Sequence, residues 1–292
     1  MFDSSKLSIV SGRVFDECYS LDNYLIEEDG VENDTCAIYI SSSGIYYPNT
    51  EECLRKSILE KDFFEWYSIR FYKASKHIFI RDVAKQFYIT GINRRIDTID
   101  KLIEWLREQT KGYKTYIVGS SAGGYLAALL GSVLNSEWIL CFSGYFDLNI
   151  IDKSVWFYID QYAADVVYSK WYSISSNIRN YTGLMIYFYP NKLAADVKQS
   201  ECIKDYRNII SIPISSTIHG IPITKKLLQD IMRHTPQEIE DKLVTIEAFA
   251  NKSSLQVNII VYGLIRGSFD FFMEQFKSLY KRIKNKLLSI VK

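Results

Sequence analysis

Five consecutive residues, Gly119-Ser120-Ser121-Ala122-Gly123, carry the clearest chemistry in the chain. They form a G-x-S-x-G turn between an uncharged apolar run, 115–118, and a small-residue segment that continues to Leu134. A strand that turns this sharply into a helix leaves its central residue strained, with the side chain pointing outward as a nucleophile must. Side chains two positions either side would collide, so both places are glycine, and Gly124 lets the helix approach the sheet. The start of that helix aims the Ala122 N–H and the positive end of its dipole at any oxyanion that forms. Ser121 is therefore the candidate nucleophile. Centring the turn on Ser120 would put Val118 and Ala122 where glycines are needed. A phosphate loop is excluded because no Gly-Lys-Ser/Thr follows, and G-x-G-x-x-G is absent.

A serine needs a base, and the chain has three histidines. His77 opens an apolar run, which puts it at the wrong edge of a parallel sheet. His234 follows a helical stretch and precedes Thr-Pro, as a surface residue would. His219, in Ser215-Ser-Thr-Ile-His-Gly220, comes just after the last strand and is the candidate base. The acid should follow a strand and lie between serine and histidine in the chain. Asp196, after the 184–189 strand, is preferred, and helix capping is its plainer role. Asp147, after the preceding strand, is the second choice. The acid would fix the His219 tautomer and stabilise the imidazolium.

The elements that must position these residues alternate regularly. Two short strands, 7–14 and 22–27, are expected to start the sheet in antiparallel fashion. Apolar runs at 36–40, 77–80, 115–118, 138–142, 184–189 and 209–214 read as further strands. Ile96, Ile99, Ile103 and Leu106 form a helical stripe, with Asp97 and Lys101 paired one turn apart. A further helix is expected near 196–206. Uncharged strands alternating with helices imply an α/β fold, a doubly wound and mostly parallel sheet covered on both faces. Residues 145–183 break the rhythm as a lid inserted after the sixth strand. The expected organisation is one domain over 1–235 and a helical C-terminal extension over 236–292.

Composition narrows the function classes. The 292 residues are 48% hydrophobic and 24% charged, which excludes disorder across the chain. Thirty-five Lys+Arg against 34 Asp+Glu leave a net charge of +1, so no global field attracts nucleic acid. Five scattered cysteines without C-x-x-C spacing argue against a disulfide framework or Cys-based zinc and fit a reducing, cytoplasmic setting. The N-terminus lacks the basic and apolar regions of a secretion signal. Residues 115–136 are uncharged over a membrane-spanning length, yet four glycines and four serines there suit a strand and glycine turn better.

The order Ser121, Asp196, His219 on these strands resembles the α/β-hydrolase superfamily over residues 30–235. Ile80-Arg-Asp82, Gly-Ser-Ser-Ala-Gly-Gly-Tyr125 and Phe142-Ser-Gly144 look like bacterial hydrolase-like proteins of surface-glycan production. They are distantly similar to the hydrolase-like domain of accessory secretion proteins. The resemblance implies serine-dependent acyl transfer or ester hydrolysis on an acylated small molecule or glycan, with no metal or cofactor. The usual His-Gly before the oxyanion hole is replaced by Ser42-Ser43-Gly44, where a donor near Ser43 joins Ala122. The alternative is a non-catalytic binding or assembly protein on the same scaffold, suggested by the missing His-Gly and a basic tail.

Two stretches remain. Residues 145–172 hold nine aromatics, and Trp156, Trp171 and Tyr172 read more readily as core than as a substrate wall. Arg81 and Asp82 are expected to form an internal ion pair. Residues 277–292 carry six Lys/Arg and no acid, opposite an apolar stripe of Phe276, Leu279, Tyr280, Ile283, Leu287 and Ile290. Peripheral contact with an anionic membrane is one reading of that helix. Packing of the stripe on 237–250 or 255–265 is the expectation.

Overall fold

A computed structural model of the chain describes residues 10–30, 33–152 and 159–290. Its centre is a seven-stranded sheet: β1 (Tyr24–Glu28), β2 (Thr35–Ile40), β3 (Lys76–Ile80), β4 (Lys114–Ser120), β5 (Trp138–Phe142), β6 (Leu184–Pro190) and β7 (Ile209–Ile214). The spatial order is β1-β3-β2-β4-β5-β6-β7. β1 runs antiparallel to β3, and every other pair is parallel. This is the doubly wound sheet of α/β-hydrolase type.

Every residue of β2 and β5 is buried, which is why these runs lack charge. Alternate side chains enter different cores. Ile38, Ile40, Ile117, Ile139 and Met185 face one, and Tyr39, Val118, Leu140, Ile186 and Ile212 face the other. Helices α1 (Arg13–Tyr19) and α2 (Glu51–Leu54) precede β3, and α3 (Ile99–Gln109) and α4 (Ala122–Val133) flank β4. The Thr98 side chain caps α3, whose Ile99, Leu102, Ile103 and Leu106 are buried, and Asp97 pairs with Lys101 at 2.7 Å. Ile96 joins the same core from just before the helix.

The insertion contains α5 (Val166–Ser169) and α6 (Ser175–Arg179), followed after β6 by α7 (Ala194–Glu201). After β7 come α8 (Lys225–Ile231), α9 (Pro236–Glu240), α10 (Leu243–Glu247), α11 (Ser254–Tyr262) and α12 (Leu264–Ile290). Ile231, Ile239, Ile246, Phe249 and Val257 continue the core that covers one sheet face. Among the described residues no helix is long and apolar enough to cross a membrane, and 115–136 are β4 and α4.

Four expectations need correction. Residues 13–14 begin α1 rather than ending a strand, because Val14, Phe15 and Cys18 bury one helical face after Gly12 at φ 98°; residues 1–9 lie outside the described residues. The insertion consequently follows the fifth described strand. Arg81 does not pair with Asp82. Successive side chains at a strand end diverge, so Arg81 meets Asp62 at 2.7 Å while Asp82 accepts the Gln86 and Tyr88 N–H groups. Finally, Phe276, Leu279, Tyr280 and Ile283 of α12 are exposed rather than packed.

Candidate active site

β2, β4, β5, β6 and β7 all end at one edge of the sheet, and the site is assembled there. Gly119 is paired with Ile40 on one side and Cys141 on the other. Ser121 follows at φ 56°, ψ −122°, outside the usual wells for a residue with a side chain. The flanking glycines are steric necessities. A Cβ on Gly119 would stand 2.1 Å from the Gly123 carbonyl oxygen, and one on Gly123 2.4 Å from that of Ile40. At Gly124 it would stand 2.8 Å from the Gly144 Cα, so the helix touches the end of β5 there.

His219 lies on the loop after β7, with Nε2 2.8 Å from Ser121 Oγ. Its Nδ1 is 3.0 Å from each carboxylate oxygen of Asp196. Asp196 belongs to the first turn of α7, whose N-cap is Leu193, and its side chain is 4% exposed against 35% for His219. A buried carboxylate on Nδ1–H leaves Nε2 as an acceptor for the serine proton, so the arrangement can draw that proton off during attack on a carbonyl. Asp147 goes elsewhere. Its carboxylate accepts from Asn149, while its backbone is held by Gln199 one turn beyond Asp196. His77 is buried between Tyr39 and Asp29 at the opposite edge, and His234 lies near Lys242 and Glu238.

The first N–H groups of α4 have no partner among the described residues, since the Tyr125 N–H is the first to bond back, to Ser121. Ala122 N–H is among them. Beside it, the loop after β2 is pinned by its other polar groups. Trp66 Nε1 donates to the Ile40 carbonyl at 2.8 Å and Tyr88 Oη to that of Ser41 at 2.7 Å. The Glu65 carboxylate accepts the Ser42 N–H and hydroxyl, and Ser42 Oγ accepts the Gly44 N–H at 3.1 Å. Of residues 42–44, Ser43 keeps an N–H with no partner among the described residues. Burial pushes the Glu65 carboxyl up, partly offset by its bonds to Ser42.

Sequence reasoning missed three residues here. Tyr145 places its hydroxyl 3.5 Å from His219 Nε2, and its ring meets Phe87 edge-on at 5.2 Å. Burial, with the Asp196 charge behind it, pushes this phenol up to about 12, so it stays protonated. Ser143 is fully buried and bonds both backbone groups of Gly220. The third is Glu65. Ser143 and Tyr145 stand within three residues of the end of β5, a signal available in the sequence, whereas nothing local marks Glu65.

The aromatic insertion is tied to α3 and α4 as well as to itself. Tyr125 Oη donates to the Trp171 carbonyl at 2.7 Å, Trp171 Nε1 reaches Asp100, and Tyr172 Oη bonds the Ile159 carbonyl. Trp156 lies outside the described residues. Among the described residues no cluster of His, Cys, Asp and Glu is placed to hold a metal ion.

No family model matches the chain, and no curated protein matches it. Among solved structures it is similar to the capsule O-acetyltransferase of Neisseria meningitidis serogroup A, at 17% identity over 73% of this chain and 91% of that one, TM-score 0.46. A Staphylococcus aureus protein of unknown function aligns at 14% identity over 77% and 94%, TM-score 0.49. The glycosylation-associated Gap123 complex of Streptococcus agalactiae aligns at 14% over 65% and 39%, TM-score 0.45. Likenesses this distant concern chain path alone, so the chemistry is argued from the site.

Proposed function

We propose that this chain is a serine-dependent acyl-transfer enzyme, an esterase or O-acyltransferase. The observation that carries the reading is the continuous contact from Ser121 Oγ through His219 to the buried Asp196, at 2.8 and 3.0 Å, on a strained elbow. Ser121 attacks the acyl carbonyl as His219 Nε2 takes its proton. Asp196 holds the imidazole in the required tautomer and stabilises its charged form without taking the proton. The N–H groups of Ala122 and Ser43 receive the oxyanion. His219 then returns the proton to the departing alcohol, and a second hydroxyl or water releases the acyl group.

The substrate class proposed is an acylated small molecule or glycan, with Tyr145 and Phe87 as the aromatic surface beside the serine. Reaction with a fluorophosphonate tests the chemistry. One adduct on Ser121, absent from Ser121→Ala and suppressed in His219→Ala, is the expected result. An unlabelled protein, where a control serine hydrolase reacts fully, would overturn the proposal. Acetate release from O-acetylated sugars, compared with a simple aryl acetate, then tests the substrate class.

A further inference from the structure

Among the described residues, helix α12 is attached to the protein by one side. At Gly267 it approaches α11 so closely that a Cβ would stand 2.4 Å from the Asn258 carbonyl oxygen. Asp270 pairs with Lys226, and the Glu274 carboxylate accepts the Lys225 N–H at 2.9 and 3.1 Å. The spacing of 267, 270 and 274 places all three on one helical face.

The opposite face is apolar and uncovered. Ile265, Phe269, Phe272, Phe276, Leu279 and Ile283 are each at least 50% exposed. At 3.6 residues per turn they fall within an arc of about 80° and extend along about 27 Å of helix. Met273 and Tyr280 widen that face on one flank. An amphipathic helix normally buries its apolar face and shows its charges, whereas this one docks through its acids and shows its phenylalanines.

Charge indicates the occupant. Both acids of α12 face the protein body, and the segment from Lys277 to Lys292 holds six Lys/Arg and no acid. The 4-3-4-3-4 spacing of the six residues would also suit a paired helix from a second copy. That partner would bring the same cations, however. The positions flanking the seam are Arg266, Ser268, Met273, Gln275, Tyr280 and Arg282, with no acid to answer them. A surface of anionic phospholipid supplies the missing negative charge together with an apolar layer beneath it.

We infer that α12 is an interfacial membrane anchor. It lies in the plane of an anionic bilayer surface, its Phe269–Phe272–Phe276–Leu279 face sunk at the headgroup–acyl boundary and its basic residues among the phosphates. The inference is independent of the chemistry at Ser121.

Co-sedimentation of the full chain with phosphatidylcholine vesicles, with and without roughly one-third phosphatidylglycerol, tests it. Binding to the anionic vesicles alone is expected, weakened at about 1 M salt. The triple variant Phe272→Ser, Phe276→Ser, Leu279→Ser, altered only at exposed positions, should stay in the supernatant with an unchanged circular-dichroism spectrum. Lys277→Gln, Lys281→Gln, Arg282→Gln should bind roughly a hundredfold more weakly, about fivefold per charge removed. The inference is overturned if the full chain ignores anionic vesicles at low salt, or if the serine variant still sediments with them. It is equally overturned if sedimentation velocity finds a dimer, abolished by the serine variant, in a protein that binds no vesicles.

Discussion

The Ser143 hydroxyl donates to the Gly220 carbonyl at 2.8 Å and accepts the Gly220 N–H at 3.1 Å, tying the end of β5 to the residue after His219. Ser143 itself takes φ 44°, and its own N–H is held by the Phe188 carbonyl at 2.8 Å. The histidine loop is thus fixed by a side-chain hydroxyl whose own backbone is held by the neighbouring strand β6. Ser143→Ala removes both side-chain bonds from a buried site and should destabilise the fold by about 1–3 kcal/mol. Turnover of an ester should fall while KM changes little, because the defect lies in aiming the imidazole. Urea midpoints and steady-state kinetics, measured side by side, check both halves.

The three residues in contact should behave as a unit. Ser121→Ala and His219→Ala should lower ester turnover to a similar residual rate, and the double variant should fall no further. Asp196→Asn should remain folded and lose up to about 10⁴-fold, since an amide no longer dictates which nitrogen carries the proton. Asp147→Asn, by contrast, should retain most activity. Full turnover in the serine and histidine variants is the outcome incompatible with the proposed chemistry.

Gly123→Ala forces a methyl group to 2.4 Å from the Ile40 carbonyl oxygen, a backbone atom with no flexible end to yield. The expected cost is about 1–3 kcal/mol of stability, together with a displaced oxyanion loop. Gly44→Ala is the matched comparison. Its nearest atom would be Ser42 Oγ at 3.3 Å, and its loss of stability should be clearly smaller.

Stability should also depend on pH through Asp82. Burial pushes its carboxyl from 3.8 up to about 6, against the opposing effect of the Tyr88 and Gln86 N–H groups. The folded protein therefore holds this proton to a higher pH than the unfolded chain does. The contribution is complete below about pH 4 and is lost as pH rises to about 6. Asp82→Asn has no proton to lose. Relative to the parent it should gain up to about 3 kcal/mol between pH 4 and pH 7, readable in urea midpoints across that range. A constant difference between the two proteins would show that Asp82 does not titrate there.

How much of this was legible in the sequence depends on distance along the chain. The elbow could be read because strand, glycines and helix are contiguous, and a φ of 56° at Ser121 follows from that turn. His219 and Asp196 could be placed because each closely follows a strand at the same edge. Arg81 could not. Its partner, Asp62, comes from the loop between α2 and β3, and no periodicity links the two. Glu65 beneath Ser42 is hidden for the same reason. The outward face of α12 misled because an apolar stripe announces burial, while the acids that turn it around are bonded to α8.

The N–H groups of Ala122 and Ser43 belong to the main chain, which has a consequence for genetics. Substitutions at either residue change a side chain and leave the amide in place, with proline as the sole encoded exception. A complete mutational scan would therefore register Ser121, His219 and Asp196 sharply, would be nearly blind to the Ser43 N–H, and would register the buried Ala122 for its packing and not for its N–H. The same blindness applies to inherited variation. Sequences could drift at position 43 with the donor intact, while at the buried Ala122 the constraint comes from packing, so the donors are to be sought in coordinates rather than in residue identity.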